Sequence, residues 1–116
     1  MLPLSRTALA TLLCLSATVA FADPIDACVD LGAEAQLSRV GEKAVLVKDA
    51  DNYYRLNVRK GCYDLSFTPK LVVTAEKTKG RVCPSGTRVK TQRDFCDIES
   101  VEKIDETAYQ SYRRVR

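Results

Sequence analysis

The chain contains no histidine and no tryptophan. Without histidine no side chain has an ordinary pKa close to neutrality, so the usual general base is missing, as is the usual activator of a nucleophilic serine or cysteine. Mixed Cys/His zinc sites are excluded on the same ground, and the cysteines do not fall into the C-x-x-C pairs typical of an all-cysteine site. No metal and no cofactor is therefore expected. Glycine and proline are sparse, five and four residues, and no Gly/Ser linker, internal repeat or low-complexity segment divides the chain. Lys79-Gly80 and Ser85-Gly86 lack the Gly-Lys-Ser/Thr ending of a phosphate-binding loop. Asp49-Ala50-Asp51-Asn52 has Tyr53 where a calcium loop continues with ligands and a glycine, so it reads as turn chemistry.

The N-terminus has its own pattern. Arg6 is the sole charge in residues 1–22, and residues 7–21 form an apolar stretch rich in Leu and Ala, closed by Ala20-Phe21-Ala22. That is the layout of a signal peptide, with small residues where the peptidase reads. Cleavage is expected after Ala22, leaving residues 23–116 as a single domain in the periplasm or secreted. About 15 apolar residues fall short of the roughly 20 that a membrane-spanning helix needs, and no later run approaches that length, so no transmembrane span is expected after processing. Cys14 follows Leu12-Leu13 inside the apolar run, the wrong context for a lipid-modified cysteine.

Removing residues 1–22 leaves Cys28, Cys62, Cys83 and Cys96, spaced by 34, 21 and 13 positions. An even set of cysteines in a short exported chain points to a disulfide framework. Four cysteines allow three pairings and the sequence alone does not choose among them. The nested arrangement, Cys62 with Cys83 and Cys28 with Cys96, is the expectation taken forward: the inner bridge closes a short loop and the outer one ties the domain's start to its end. Each bridge would add about 3 to 4 kcal/mol by restricting the unfolded chain.

The remaining pattern is mainly β. Residues 44–47 are a compact apolar run, residues 49–52 a turn, and residues 53–58 alternate with Tyr54, Leu56 and Val58 on one face and Arg55 and Asn57 toward water. Residues 37–40 pair as a strand with 43–48 or continue a helical segment from Ala33; both stay open. Gly61-Cys62-Tyr63 leads into Leu65 and Phe67 alternating with polar residues, and residues 71–75 form a further strand. Pro84-Ser85-Gly86 would turn a hairpin between residues 81–83 and 87–90, setting Val82 against Val89 and Arg81 against Lys90. Asp105 caps a short C-terminal helix in which Ala108 and Tyr112 share a face, with Arg113, Arg114 and Arg116 at its negative end. The expected fold is a small antiparallel β-barrel or sandwich of five to six strands, with two disulfides and that helix.

Charge is ordered along the chain. From Lys70 to Arg93 there are seven basic residues against Glu76 alone; from Asp94 to Glu106 there are six acids against Lys103. Lys77, Lys79, Arg81, Arg88 and Lys90 are the candidate anion-binding face, although like charges set directly opposite one another weaken a sheet and call for acidic neighbours. A net charge of only +2 over residues 23–116, and no aromatics interleaved with the basic run, argue against a nucleic-acid partner. An anionic envelope component or another protein fits better. Asp97 and Glu99 would share a strand face as a carboxylate pair, but a glycosidase-like mechanism needs two differently tuned carboxyls at a cleft, and a solvated acidic face is the simpler reading.

Several local contexts coincide with one known family. These are Cys28 near the mature start, the apolar strand 44–47, Tyr53-Tyr54-Arg55-Leu56, Gly61-Cys62-Tyr63-Asp64-Leu65, Gly80-Arg81-Val82-Cys83, and Cys96-Asp97-Ile98-Glu99-Ser100-Val101 leading to Asp105-Glu106. In them the chain resembles a family of small exported Gram-negative bacterial proteins known only as a domain of unknown function. It departs from many of those relatives in having no tryptophan between the first cysteine and the first strong strand. The resemblance implies an exported, cysteine-linked β-domain and supplies no catalytic residues. The functional expectation is a non-catalytic binding or structural module of the cell envelope. The alternatives are a small inhibitor of an envelope-attacking hydrolase such as lysozyme, presenting residues 84–87, and a carboxylate enzyme using Asp97 and Glu99.

Overall fold

The computed structural model describes residues 22–114, and the expected signal peptide, residues 1–22, lies outside them except for Ala22. Val115 and Arg116 lie outside them as well. In chain order the strands are β1 (Ala22–Pro24), β2 (Val29–Asp30), β3 (Gln36–Val40), β4 (Ala44–Asp49) and β5 (Asn52–Val58). After a 3-10 turn at Tyr63–Phe67 come β6 (Val72–Ala75), β7 (Thr78–Lys79), β8 (Arg81–Val82), β9 (Arg88–Lys90) and β10 (Phe95–Ile104), and the helix α1 (Glu106–Arg113) closes the chain.

These strands build one curled antiparallel sheet in the order β3-β4-β5-β10-β9-β6-β7, with β1 added on β10, and a separate ribbon of β2 and β8. The fold is mainly β: a half-barrel with a single C-terminal helix and two disulfides. The strand segments outnumber the five or six expected because β1, β2, β7, β8 and β9 are only two or three residues long, too short to show a period of two.

The β4–β5 hairpin forms in the anticipated register, Ala44↔Asn57 through Asp49↔Asn52. Residues 37–40, readable two ways, pair with β4 from Leu37↔Val47 to Val40↔Ala44. Ala44, Val45, Leu46 and Val47 are all buried, because both faces of β4 are covered. Its inner face, with Tyr54, Leu56, Val58, Val73, Val89, Cys96, Ile98 and Val101, lines the concave core. Its outer face, with Leu46, Tyr53 and Ile104, lies under Ala108 and Tyr109 of α1. The capped helix stands where expected: the Asp105 carboxylate accepts the Ala108 N–H at 2.7 Å, and Tyr112 packs on the outer cluster.

Four expectations are corrected. Arg55 and Asn57 do not face open water: the Arg55 guanidinium stands 4.5 Å over the Tyr112 ring, and the Asn57 amide donates to Ser100 Oγ at 2.9 Å and Glu102 Oε1 at 3.1 Å. Residues 63–67 are a 3-10 turn, not a strand; Leu65 N–H donates to the Cys62 carbonyl, which buries Leu65 and turns Tyr63 and Phe67 outward. The hairpin expected at residues 84–86 does not exist, since β8 pairs with β2 while β9 lies between β6 and β10. The nested disulfides are replaced by interleaved ones, Cys28–Cys83 and Cys62–Cys96. Cys28 and Cys83 lie one step beyond the Val29↔Val82 pair of the ribbon, Cα to Cα 4.0 Å. Pairing of Val58 with Ile98 brings the chain leaving β5 alongside the start of β10, with Cys62 and Cys96 5.8 Å apart at Cα. Among the described residues no helix is long and apolar enough to cross a membrane.

Candidate anion-binding face

Antiparallel register decides which basic residues share a face. Lys79 pairs with Thr74, Thr74 with Arg88 and Arg88 with Asp97, so one outer row reads Lys79, Thr74, Arg88, Asp97. The next reads Val72, Lys90, Phe95. Val73, Val89 and Cys96 point the other way, into the core, which is why the cations between them are forced outward. Threonine separates the two cations of the first row, and no like charges sit directly opposite one another in either row.

Neutralisation is uneven. Arg88 Nε meets Asp97 Oδ1 at 3.2 Å, and the Arg88 guanidinium and Lys90 ammonium lie 4.4 and 5.1 Å from the centre of the Phe95 ring. Lys77 sits at the tip of the β6–β7 hairpin. Among the described residues no ion pair within 4.0 Å engages Lys77, Lys79 or Lys90. Arg81 is drawn out of the set. It lies in the ribbon opposite Asp30, with Nε 2.7 Å from Asp30 Oδ1 and Nη1 3.0 Å from Glu76 Oε1. The hydrogen bond from Arg81 holds the Asp30 carboxyl below the usual carboxylate range.

The other candidates are either engaged by a neighbour or simply exposed. Asp97 and Glu99 are both exposed on β10; Asp97 is engaged by Arg88, and Glu99 lies where the β10 register slips between Ile98 and Ser100. Cys28, Cys83 and Glu76 bring their donor atoms within 4.8 Å of one another, but the two sulfurs are bonded to each other and the carboxylate is on Arg81. The loop at residues 84–86 is exposed and braced at its base. The buried Thr87 hydroxyl accepts the Cys83 N–H and donates to the Cys83 carbonyl, both at 2.8 Å.

Sequence reasoning missed the aromatic part of this surface. Phe95 is 42 % exposed, Tyr63 67 % and Phe67 59 %. Phe95 could have been found, because an inward Cys96 dictates an outward neighbour. Tyr63 and Phe67 could not, since as a strand they share a face with the buried Leu65. Arg59 and Lys60 line a groove of about 390 Å³ with Gly61, Phe95 and Asp97.

The sequence profile of a family of unknown function, DUF6491, matches residues 5–116. The chain belongs to that family. Neither a curated protein nor a solved structure matches it. This DUF6491 member therefore has its architecture and its surface chemistry, and no relative's activity, as the basis for a functional reading.

Proposed function

We propose that the chain is an exported, non-catalytic module that binds an anionic component of the cell envelope. The observation that carries this is the β7-β6-β9-β10 face, where Lys79, Arg88 and Lys90 share a surface with Phe95, Lys77 adjoins at the hairpin tip, and, among the described residues, Arg88 alone of these four cations has an acidic partner within 4.0 Å. A surface with excess charge of one sign concentrates counter-charged partners. Export is supported by the sequence of residues 1–22 and by two disulfides, which persist in oxidising compartments. Cleavage after Ala22 would keep Asp23↔Lys103 and Pro24↔Glu102 of β1 in place on β10. The fourfold change Lys77→Glu, Lys79→Glu, Arg88→Glu, Lys90→Glu should reduce retention of the protein by envelope fractions. Retention equal to wild type would remove this face from consideration.

The braced loop at residues 84–86 favours a second reading, inhibition of an envelope-attacking hydrolase such as lysozyme. An exposed segment held at its base by Thr87 and by Cys28–Cys83 loses little entropy on entering an enzyme cleft. Full lysozyme activity in the presence of micromolar protein would end that alternative.

A further inference from the structure

We propose that the pole made by the 3-10 turn and the start of β10 docks this protein on an anionic lipid bilayer surface. The inference rests on the anion-binding reading above and names its ligand class.

The pole is preorganised. Cys62–Cys96 joins the residue before Tyr63 to the residue after Phe95. Asp64 accepts hydrogen bonds from the Thr91 hydroxyl and the Arg93 N–H. The Thr68 hydroxyl donates to the Asp64 carbonyl at 2.9 Å and accepts the Gln92 N–H at 3.1 Å. The 3-10 turn is thus fastened to the 91–94 turn, and Tyr63, Phe67 and Phe95 are presented together on a rigid support. Three exposed large apolar side chains on segments tied by one disulfide mark an interaction surface.

Ring geometry selects the ligand class. Tyr63 and Phe67 meet edge to face, centroids 5.0 Å apart at 64°, and present no flat platform to a sugar ring. The face of Phe95 is occupied by Arg88 and Lys90. Exposed rings flanked by cations are instead the arrangement that settles at the headgroup level of a bilayer, with rings between acyl chains and headgroups and cations on phosphates. Arg59 and Lys60 share their groove with Phe95. The Lys60 backbone is held in the left-handed region, φ 63°, before Gly61 at φ 79°, and the next N–H, that of Cys62, is tied to the Glu42 carbonyl at 3.0 Å. A lysine in a conformation suited to glycine is a strained choice, and here it puts a second charge next to Arg59 at the groove. Two acids of the pole are ion-paired, Asp64 with Arg93 and Asp97 with Arg88, while Asp94 accepts the Phe95 N–H at 2.8 Å and keeps its charge. Among the described residues Arg59, Lys60 and Lys90 have no ion pair within 4.0 Å, so the pole is net positive.

The test is co-sedimentation of the protein, isolated in its exported form, with vesicles of phosphatidylcholine alone and of phosphatidylcholine with phosphatidylglycerol. Binding to the anionic vesicles that weakens with added salt is expected. Tyr63→Ser with Phe67→Ser should weaken it at least tenfold. Arg59→Gln with Lys60→Gln should weaken it about 25-fold, from roughly fivefold per cation near an anionic surface. All four positions are on the surface, and titration of free thiols confirms that each variant keeps both disulfides. Equal binding by wild type and the aromatic variant, or equal binding to neutral and anionic vesicles, overturns the inference. Absence of vesicle binding also overturns it. If an immobilised acidic polysaccharide then retains the protein, the anion-binding reading survives alone; if neither surface retains it, both fall.

Discussion

Asp64 shows how one side chain decides the conformation of a segment. Its carboxylate accepts from Thr91 and from the Arg93 N–H and faces the Arg93 guanidinium at 3.4 Å, and the Thr91 hydrogen bond foremost holds its pKa below the ordinary 3.8. A depressed carboxyl binds fewer protons folded than unfolded, so its stabilisation is full above the unfolded pKa and is lost as pH falls through the folded one. Thermal unfolding followed from pH 6 to pH 2 should therefore show a decline beginning near the ordinary carboxylate pKa and deepening below it. Asp64→Asn should lower the midpoint at neutral pH and make that acid limb shallower; an unchanged limb would mean that Asp64 is not among its causes. Thr87 acts comparably for the 83–87 loop. Replacing it with valine keeps the shape but leaves the buried Cys83 N–H without a partner, at a cost of about 1 to 3 kcal/mol, measurable by urea unfolding. In the core, Leu56→Ala should cost about 2 to 5 kcal/mol, because Leu56 is wholly enclosed in the concave cluster.

At the scale of elements, the β6–β7 hairpin is the least predictable piece. Ala75 pairs with Thr78, leaving Glu76 and Lys77 as a two-residue turn with φ of 52° and 62°. Two consecutive positive φ values belong to the turn type that Asn-Gly favours, and Glu-Lys gives no such signal, so the sequence shows a strand over residues 71–75 and a turn only at Lys79-Gly80, not at 76–77. Left-handed backbone costs a residue with a side chain about 1 to 2 kcal/mol. Lys77→Gly should thus leave the fold as stable or make it more stable by up to about 1 kcal/mol in urea unfolding, while reducing retention by envelope fractions if the lysine is there for its charge. A loss of stability would contradict the strain argument. The helix was easier to foresee, since its cap and apolar spacing are local: Asp105, Ala108 and Tyr112 are legible without knowledge of the sheet. Its depth is tertiary, set by Tyr53, whose ring lies 4.8 Å from that of Tyr109, and by Leu46 and Ile104 beneath it.

For the molecule as a whole, the two bridges have different work. Cys62–Cys96 spans the main sheet between the chain leaving β5 and β10, and Cys28–Cys83 holds the β2–β8 ribbon closed. Separations of 34 and 55 residues correspond to about 4 kcal/mol each in the chain-entropy account, a large share of the roughly 5 to 15 kcal/mol typical of a domain. Peptide mapping without reduction should recover the pairs 28–83 and 62–96, and replacing either pair by alanine should lower the unfolding free energy by a few kcal/mol. Recovery of 62–83 would contradict the topology, because it requires β8 to lie beside the end of β5.

Local chemistry was enough to determine the β class, the β4–β5 hairpin, the capped helix and the presence of a cysteine framework. Each depends on residues close in sequence, through alternation, turn composition or a side chain reaching its own backbone. The partners of the cysteines, the outward turn of Tyr63 and Phe67, the removal of Arg81 to Asp30 and the gathering of Lys79, Arg88, Lys90 and Phe95 were decided by tertiary structure alone. Those depend on which strand lies beside which, and in this chain the deciding pairings, β2 with β8, β6 with β9 and β5 with β10, join segments distant in sequence. No local preference selects among such pairings; they are settled by burying one shared core.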